Sequence, residues 1–154
     1  MTVRLFSMVL GAVGLLSIFA SLPGNESAGA LNSTSVMTYN IHVEGCSHDH
    51  PSWIDRRSLV AQVIRLKSPE ILGLQGTTIA QLDWLIDNLG HFSATYNQST
   101  ADAASDVCPI LFDQRVYRAM EKGTETLDLS DHNGESNIFV NWVKLEHLLS
   151  SSTL

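Results

Sequence analysis

The stretch "EILGLQ" (70–75) is apolar almost throughout, the pattern of a strand covered on both faces. After it, Ile79, Leu82, Ile86 and Leu89 recur at helical spacing, with Thr77 or Thr78 placed to cap the helix and Gly90 to stop it. A second helical stripe precedes the strand. Between Ile54 and Leu66, Leu59, Val63 and Leu66 fall on one face with Val60 and Ile64 beside it, and Arg56, Arg57, Arg65 and Lys67 mark the solvent side. Ser68-Pro69 ends that helix. β-Branched and aromatic residues predict a strand over "SVMTYNIHV" (35–43), and shorter ones over 91–96, 107–113, 116–121, 124–130 and 137–147, with Lys122-Gly123 turning a hairpin. Residues 44–53 and 97–106 read as polar loops, and 148–154 as a disordered tail.

The order βαβαβ followed by strands predicts an α/β (α+β) architecture, one mixed β-sheet with two helices on its outer face. The last strand complicates this. It sets Ile138, Val140 and Trp142 on one side and Phe139, Val143 and Leu145 on the other, so it asks for cover on both faces. Two helices supply one layer, and the expected result is an incomplete four-layer sandwich.

The N-terminus follows a different pattern. "MTVR" carries Arg4, and Leu5 to Leu22 is an almost uncharged apolar run broken by Pro23-Gly24. Ala28 and Ala30 sit at the −3 and −1 positions of a signal-peptidase site. Residues 1–30 are therefore expected to be a signal peptide outside the fold, leaving a domain over 31–147 in a secreted protein. The alternative is an uncleaved signal anchor, since such a run is long enough to span a bilayer. Secretion suits Asn32 ("NST") and Asn97 ("NQS") as glycosylation acceptors, and it permits a disulfide between Cys46 and Cys108.

At 44% hydrophobic and 16% charged residues, the chain has enough apolar side chains for a packed core. Its formal net charge of −7 and the lack of a basic stripe argue against a nucleic-acid-binding patch. A nucleic-acid substrate held through a divalent cation stays compatible with that charge.

"VMTYNIHV", then Trp53 and Arg57 in "WIDRR", then "SPEILGLQ", "QLDWL", "CPILFD", a "GT" turn and "LDLS" follow in an order that resembles the N-terminal half of the endonuclease/exonuclease/phosphatase superfamily. The resemblance covers residues 35 to about 147. It implies two packed sheets with outer helices and Mg²⁺-dependent hydrolysis of phosphoesters, where a hard cation on oxygen ligands polarises the phosphoryl group. Asn40 matches the family's Asn near metal and phosphate, and Gln75 matches the Gln of its Gln-Glu motif, beside the site. Gly76 stands where the metal-binding Glu should be. Two neutral amides hold Mg²⁺ weakly unless Glu44 or Asp49 substitutes.

The catalytic residues of the family's second half have no counterpart before Leu154, and Ser130-Asp131-His132 imitates its closing motif in the wrong place. A degenerate paralogue, a truncated gene model and a short isoform all fit that pattern. The sequence thus points to a catalytically impaired hydrolase, a pseudoenzyme with weak or absent Mg²⁺. The alternatives are a binding protein that self-associates or takes a protein partner through the uncovered sheet face, or a fragment of a full-length hydrolase.

His42, Cys46, His48, Asp49 and His50 crowd one loop but match no structural zinc spacing, so a solvated loop is expected. Trp53, Trp84 and Trp142 read as packing residues.

Overall fold

The computed structural model describes residues 2–8, 33–44, 51–97, 106–127 and 138–148. In chain order these form β1 (Thr2–Met8), β2 (Val36–Asn40), α1 (Trp53–Lys67), β3 (Ile71–Gln75), α2 (Ile79–Leu89), β4 (Phe92–Thr95), β5 (Ile110–Asp113), β6 (Tyr117–Leu127) and β7 (Ile138–His147). Four strands make a mixed sheet in the order β2-β3-β5-β4, with β2 parallel to β3 and the other pairs antiparallel. The remaining three form an antiparallel sheet in the order β1-β7-β6.

Both helices are delimited by local chemistry. Ser52 caps α1 by accepting from the Asp55 N–H, and α1 ends at Ser68 in the left-handed region, just before Pro69. At α2, Thr78 and Gln81 complete a capping box, and Gly90 (φ +71°) closes the helix. The helices pack side by side through Trp53 and Trp84, whose rings meet edge to face at 5.8 Å. The Arg56 and Arg57 guanidinium groups lie over those two rings, at 5.3 and 5.0 Å.

The period-two alternation of β3 sorts its side chains between two cores. Leu72 and Leu74 face the helices, joining Ile41, Trp53, Val60, Ala61, Ile64, Leu82 and Leu85. Ile71 faces the other way, into a second core with Ile110, Phe112, Tyr117, Val143 and Leu145. This inner core lies between the two sheets. Tyr117 anchors it, its hydroxyl 2.7 Å from Thr34 Oγ1 and donating to Glu70 Oε2 at 3.3 Å.

Three expectations change. The cover demanded by β7 comes partly from a second sheet, since Asn141, Val143 and Leu145 are buried toward the mixed sheet while Val140 and Trp142 are only half-buried on the outer face. The expected hairpin at Lys122-Gly123 is instead the middle of one continuous strand. Gly123 pairs with Trp142, and a Cβ there would meet the indole at 2.8 Å, so the glycine makes room for a ring. The stripe of α1 is rotated: Trp53, Val60, Ala61 and Ile64 are buried, and Leu59 (62%) and Leu66 (76%) are exposed. Thr2–Met8, at the start of the segment read as a leader, pairs in full register with β7, from Thr2↔Glu146 to Met8↔Val140.

Residues 9–32, which hold most of the apolar run and Asn32, lie outside the described residues, as do 128–137 with Ser130-Asp131-His132. Among the described residues no helix is long and apolar enough to cross a membrane.

Candidate strand-end site

Asn40 and Gln75 are register partners at the C-terminal ends of the parallel pair β2–β3, so the two residues singled out in the sequence stand side by side with Gly76 next to them. Open crevices at such strand ends are where α/β sheets hold ligands. The side chains are already engaged. Asn40 Oδ1 accepts from the His42 N–H at 3.0 Å. Gln75 is buried, with the Thr38 hydroxyl 3.3 Å from its Oε1 and 3.0 Å from its Nε2.

Gly76 occupies the left-handed region at φ +61°. A Cβ there would come within 2.7 Å of His42 Cα, 2.8 Å of His42 N and 2.8 Å of Asn40 Oδ1. The first two are backbone atoms, held in place from several directions. Arg56 donates to the carbonyls of Ile41 and His42, the latter at 2.6 Å, and Gln81 Nε2 donates to the His42 carbonyl at 3.0 Å. His42 itself is non-glycine at φ +58°, a conformation this clamp sustains.

A carboxylate does stand at this turn, and it comes from elsewhere in the chain. Asp106 Oδ2 accepts from the Gly76 N–H at 2.8 Å, and its Oδ1 accepts from the N–H groups of Thr77 at 3.0 Å and Cys108 at 2.9 Å. The loop that carries it is latched to the second sheet by buried Asn141, whose Nδ2 donates to the Val107 and Cys108 carbonyls at 3.0 and 3.2 Å and whose Oδ1 accepts from Thr124. Sequence reading missed Asp106, Gln81, Arg56 and Asn141. Gln81 had a signal in the Thr-x-x-Gln spacing of a capping box, and Asn141 in being polar at a position whose strand neighbours Val143 and Leu145 are apolar. Asp106, in an aperiodic polar loop, had none.

The donor set does not fit Mg²⁺. That ion demands near-octahedral oxygen ligands with carboxylate charge. Here both amide oxygens are turned to protein donors, the carboxylate is committed to three backbone N–H groups, and Gly76 has neither a side chain nor space for one. Among the described residues no three His, Cys, Asp or Glu side chains gather as metal ligands. Glu44 is exposed, and Cys46, His48, Asp49 and His50 lie outside the described residues.

Cys108, at φ +37°, is a buried free thiol, while its expected disulfide partner Cys46 is not among the described residues. Burial, and then the adjacent Asp106 charge, push this thiol far above its ordinary range. It is expected to stay inert to a thiol reagent at pH 8 in the native chain and to react on unfolding, which a colorimetric thiol assay with and without denaturant would follow. Because the folded value is the raised one, the thiol's contribution to stability is complete below the unfolded-state value. It fades as pH rises past about 8.5, where the unfolded thiol ionises.

Asn97 is half-buried and lines a hollow of about 320 Å³ with Tyr96, Lys122 and Thr124.

No family model matches this sequence, and no curated protein matches it. Solved structures do. An endonuclease/exonuclease/phosphatase from Bacteroides vulgatus aligns over 97% of this chain and 49% of its own length, at 16% identity and a TM-score of 0.62. An endonuclease/exonuclease/phosphatase family protein from Bacteroides thetaiotaomicron aligns over 75% and 45% respectively, at 16% identity and 0.66. A mannosyl-6-phosphatase from the same organism aligns over 63% and 38%, at 20% identity and 0.56.

The architecture is therefore part of the endonuclease/exonuclease/phosphatase fold. The chain spans about half the length of the structures it matches, or less, and the likeness is one of fold.

Proposed function

We propose that this chain is an exported member of the metal-dependent phosphoester hydrolase group and is catalytically impaired at its own strand-end site. The fold supports the group, and the leader pattern ending in Ala28 and Ala30 supports export. One observation carries the impairment: at the position where the resemblance expects a metal-binding Glu, Gly76 sits in a left-handed turn that the His42 backbone closes to any side chain. The substrate class that goes with the fold is a phosphoester, mono- or diester, and a divalent cation is the cofactor the fold suggests. Asn40 and Gln75 are the residues of that site this chain retains.

The test is hydrolysis of a generic phosphodiester and of a sugar phosphate, with Mg²⁺, with Mn²⁺ and with chelator, after a urea melt has established cooperative folding. The expected outcome is a folded protein without turnover under any of the three conditions. Chelator-sensitive turnover that drops in Asn40→Ala would refute the proposal, because the metal would then have found other ligands.

A further inference from the structure

Among the described residues, β2 is paired along one edge only, to β3. The Ile71 N–H donates to the Ser35 carbonyl and the Ile41 N–H to the Gln75 carbonyl. In a parallel ladder this turns the backbone groups of odd-numbered residues toward β3, and those of Val36, Thr38 and Asn40 toward the other edge. Proteins protect such edges with charge, proline, bulges or a covering element. "VMTYN" carries no charge and no proline, and β2 has no register shift.

Exposed apolar side chains flank this edge. On α1, Trp53, Val60 and Ile64 point down to the sheet, while Arg57 over Trp84 and Arg65, bonded to the Asn88 carbonyl, point to α2. Leu59 and Leu66, seven residues apart, share the opposite flank, on the β2 side, and both are well exposed. Val36 is 40% exposed and lines a hollow of about 270 Å³ with Met37, Lys67 and Pro69.

We propose that the β2 edge is an interface for a second copy of this chain, formed by antiparallel pairing of β2 with β2 about a two-fold axis at Thr38. The strand is self-complementary in that register. Thr38 faces Thr38 in a hydrogen-bonded pair, Val36 faces Asn40, and Met37 faces Tyr39 in the closer, non-hydrogen-bonded pair on the helix side. The same axis brings the Leu59–Leu66 flanks of the two α1 helices together, so one patch meets itself, as an isologous contact requires. The joined mixed sheets would run continuously through both copies. The interface is independent of phosphoester chemistry, and either reading stands if the other fails.

Size-exclusion chromatography with light scattering on the whole chain should give twice the monomer mass. The Leu59→Lys/Leu66→Lys double variant changes only exposed positions, so at concentrations where both chains are monomeric it should keep the parent's melting curve, while its dimer dissociation constant rises roughly tenfold or more. In a Cys46→Ser background, Thr38→Cys should form an intermolecular disulfide under mild oxidation, because the paired Cα atoms would lie about 5.5 Å apart, within bridging range. A monomer at every concentration would overturn the proposal. So would a dimer that survives the lysine pair and gives no Thr38→Cys bridge, which would place the contact elsewhere.

Discussion

Gly76→Glu is expected to lower folding stability by about 3 kcal/mol and to create no measurable affinity for Mg²⁺. Two costs add. A residue with a Cβ at φ +61° bears left-handed strain of about 1–2 kcal/mol. The Cβ must also displace the His42 backbone from 2.7 Å, against the grip of Arg56 and Gln81 on the His42 carbonyl. A carboxylate reaching past that point would meet the Asp106 carboxylate, which bonds the Gly76 N–H, and like charges at short range repel. Gly76→Ala separates the effects, since it keeps the backbone cost and removes the charge, and about 2 kcal/mol is expected for it. Urea unfolding followed by tryptophan fluorescence gives the stabilities, and calorimetric titration of the folded variants with Mg²⁺ gives the affinity. A Gly76→Glu chain that melts like the parent and binds Mg²⁺ would show that the turn opens freely and that the site lost only its ligand.

The second large effect is expected at Asp106. Removing the carboxylate in Asp106→Ala strands the N–H groups of Gly76, Thr77 and Cys108 in a partly buried loop. Charge-assisted bonds of this kind contribute about 1.5–3 kcal/mol each, but they share one acceptor group and are not additive, so a loss of about 3 kcal/mol in all is expected. Asp106→Asn should fall between Ala and the parent. The amide keeps one acceptor oxygen but turns an NH₂ group toward backbone donors. Hydrogen exchange adds a local readout, because the amides of Gly76, Thr77 and Cys108 should lose protection before those of the inner core. Equal stability in all three chains would mean that water replaces the carboxylate without loss, and that the turn holds itself.

How far these features were legible in the sequence depends on the range of the interaction behind each. The caps at Thr78 and Gly90 and the end of α1 at Ser68-Pro69 were readable because their partners lie within four residues. The register of Asn40 against Gln75 was readable only through the resemblance, since no local rule pairs strands that far apart. The rotated face of α1 was misread for a physical reason. Leu59 and Leu66 keep helical spacing as well as Val60 and Ile64 do, and the choice between stripes was made by Arg56 and Arg57, which turn inward over indole rings where a charge count sets them in solvent. Lys122-Gly123 has turn composition, yet a ring on the neighbouring strand, not a reversal of the chain, requires that glycine. Asp106 shows the limit most clearly: the carboxylate at the end of β3 comes from thirty residues downstream.

The strand formed by Thr2–Met8 has a consequence for biogenesis. On the export reading, the same seven residues serve two masters, the translocation machinery and the edge of β7. A precursor that folds before engaging the membrane hides the start of its own address in a β-ladder. A precursor that is captured first arrives without that strand, leaving β6 and β7 as a two-stranded ribbon that leans on the inner core through Val143 and Leu145, and such ribbons are marginal alone. The newborn and the processed polypeptide would then be different folded objects, and the order of folding and processing would decide which one accumulates.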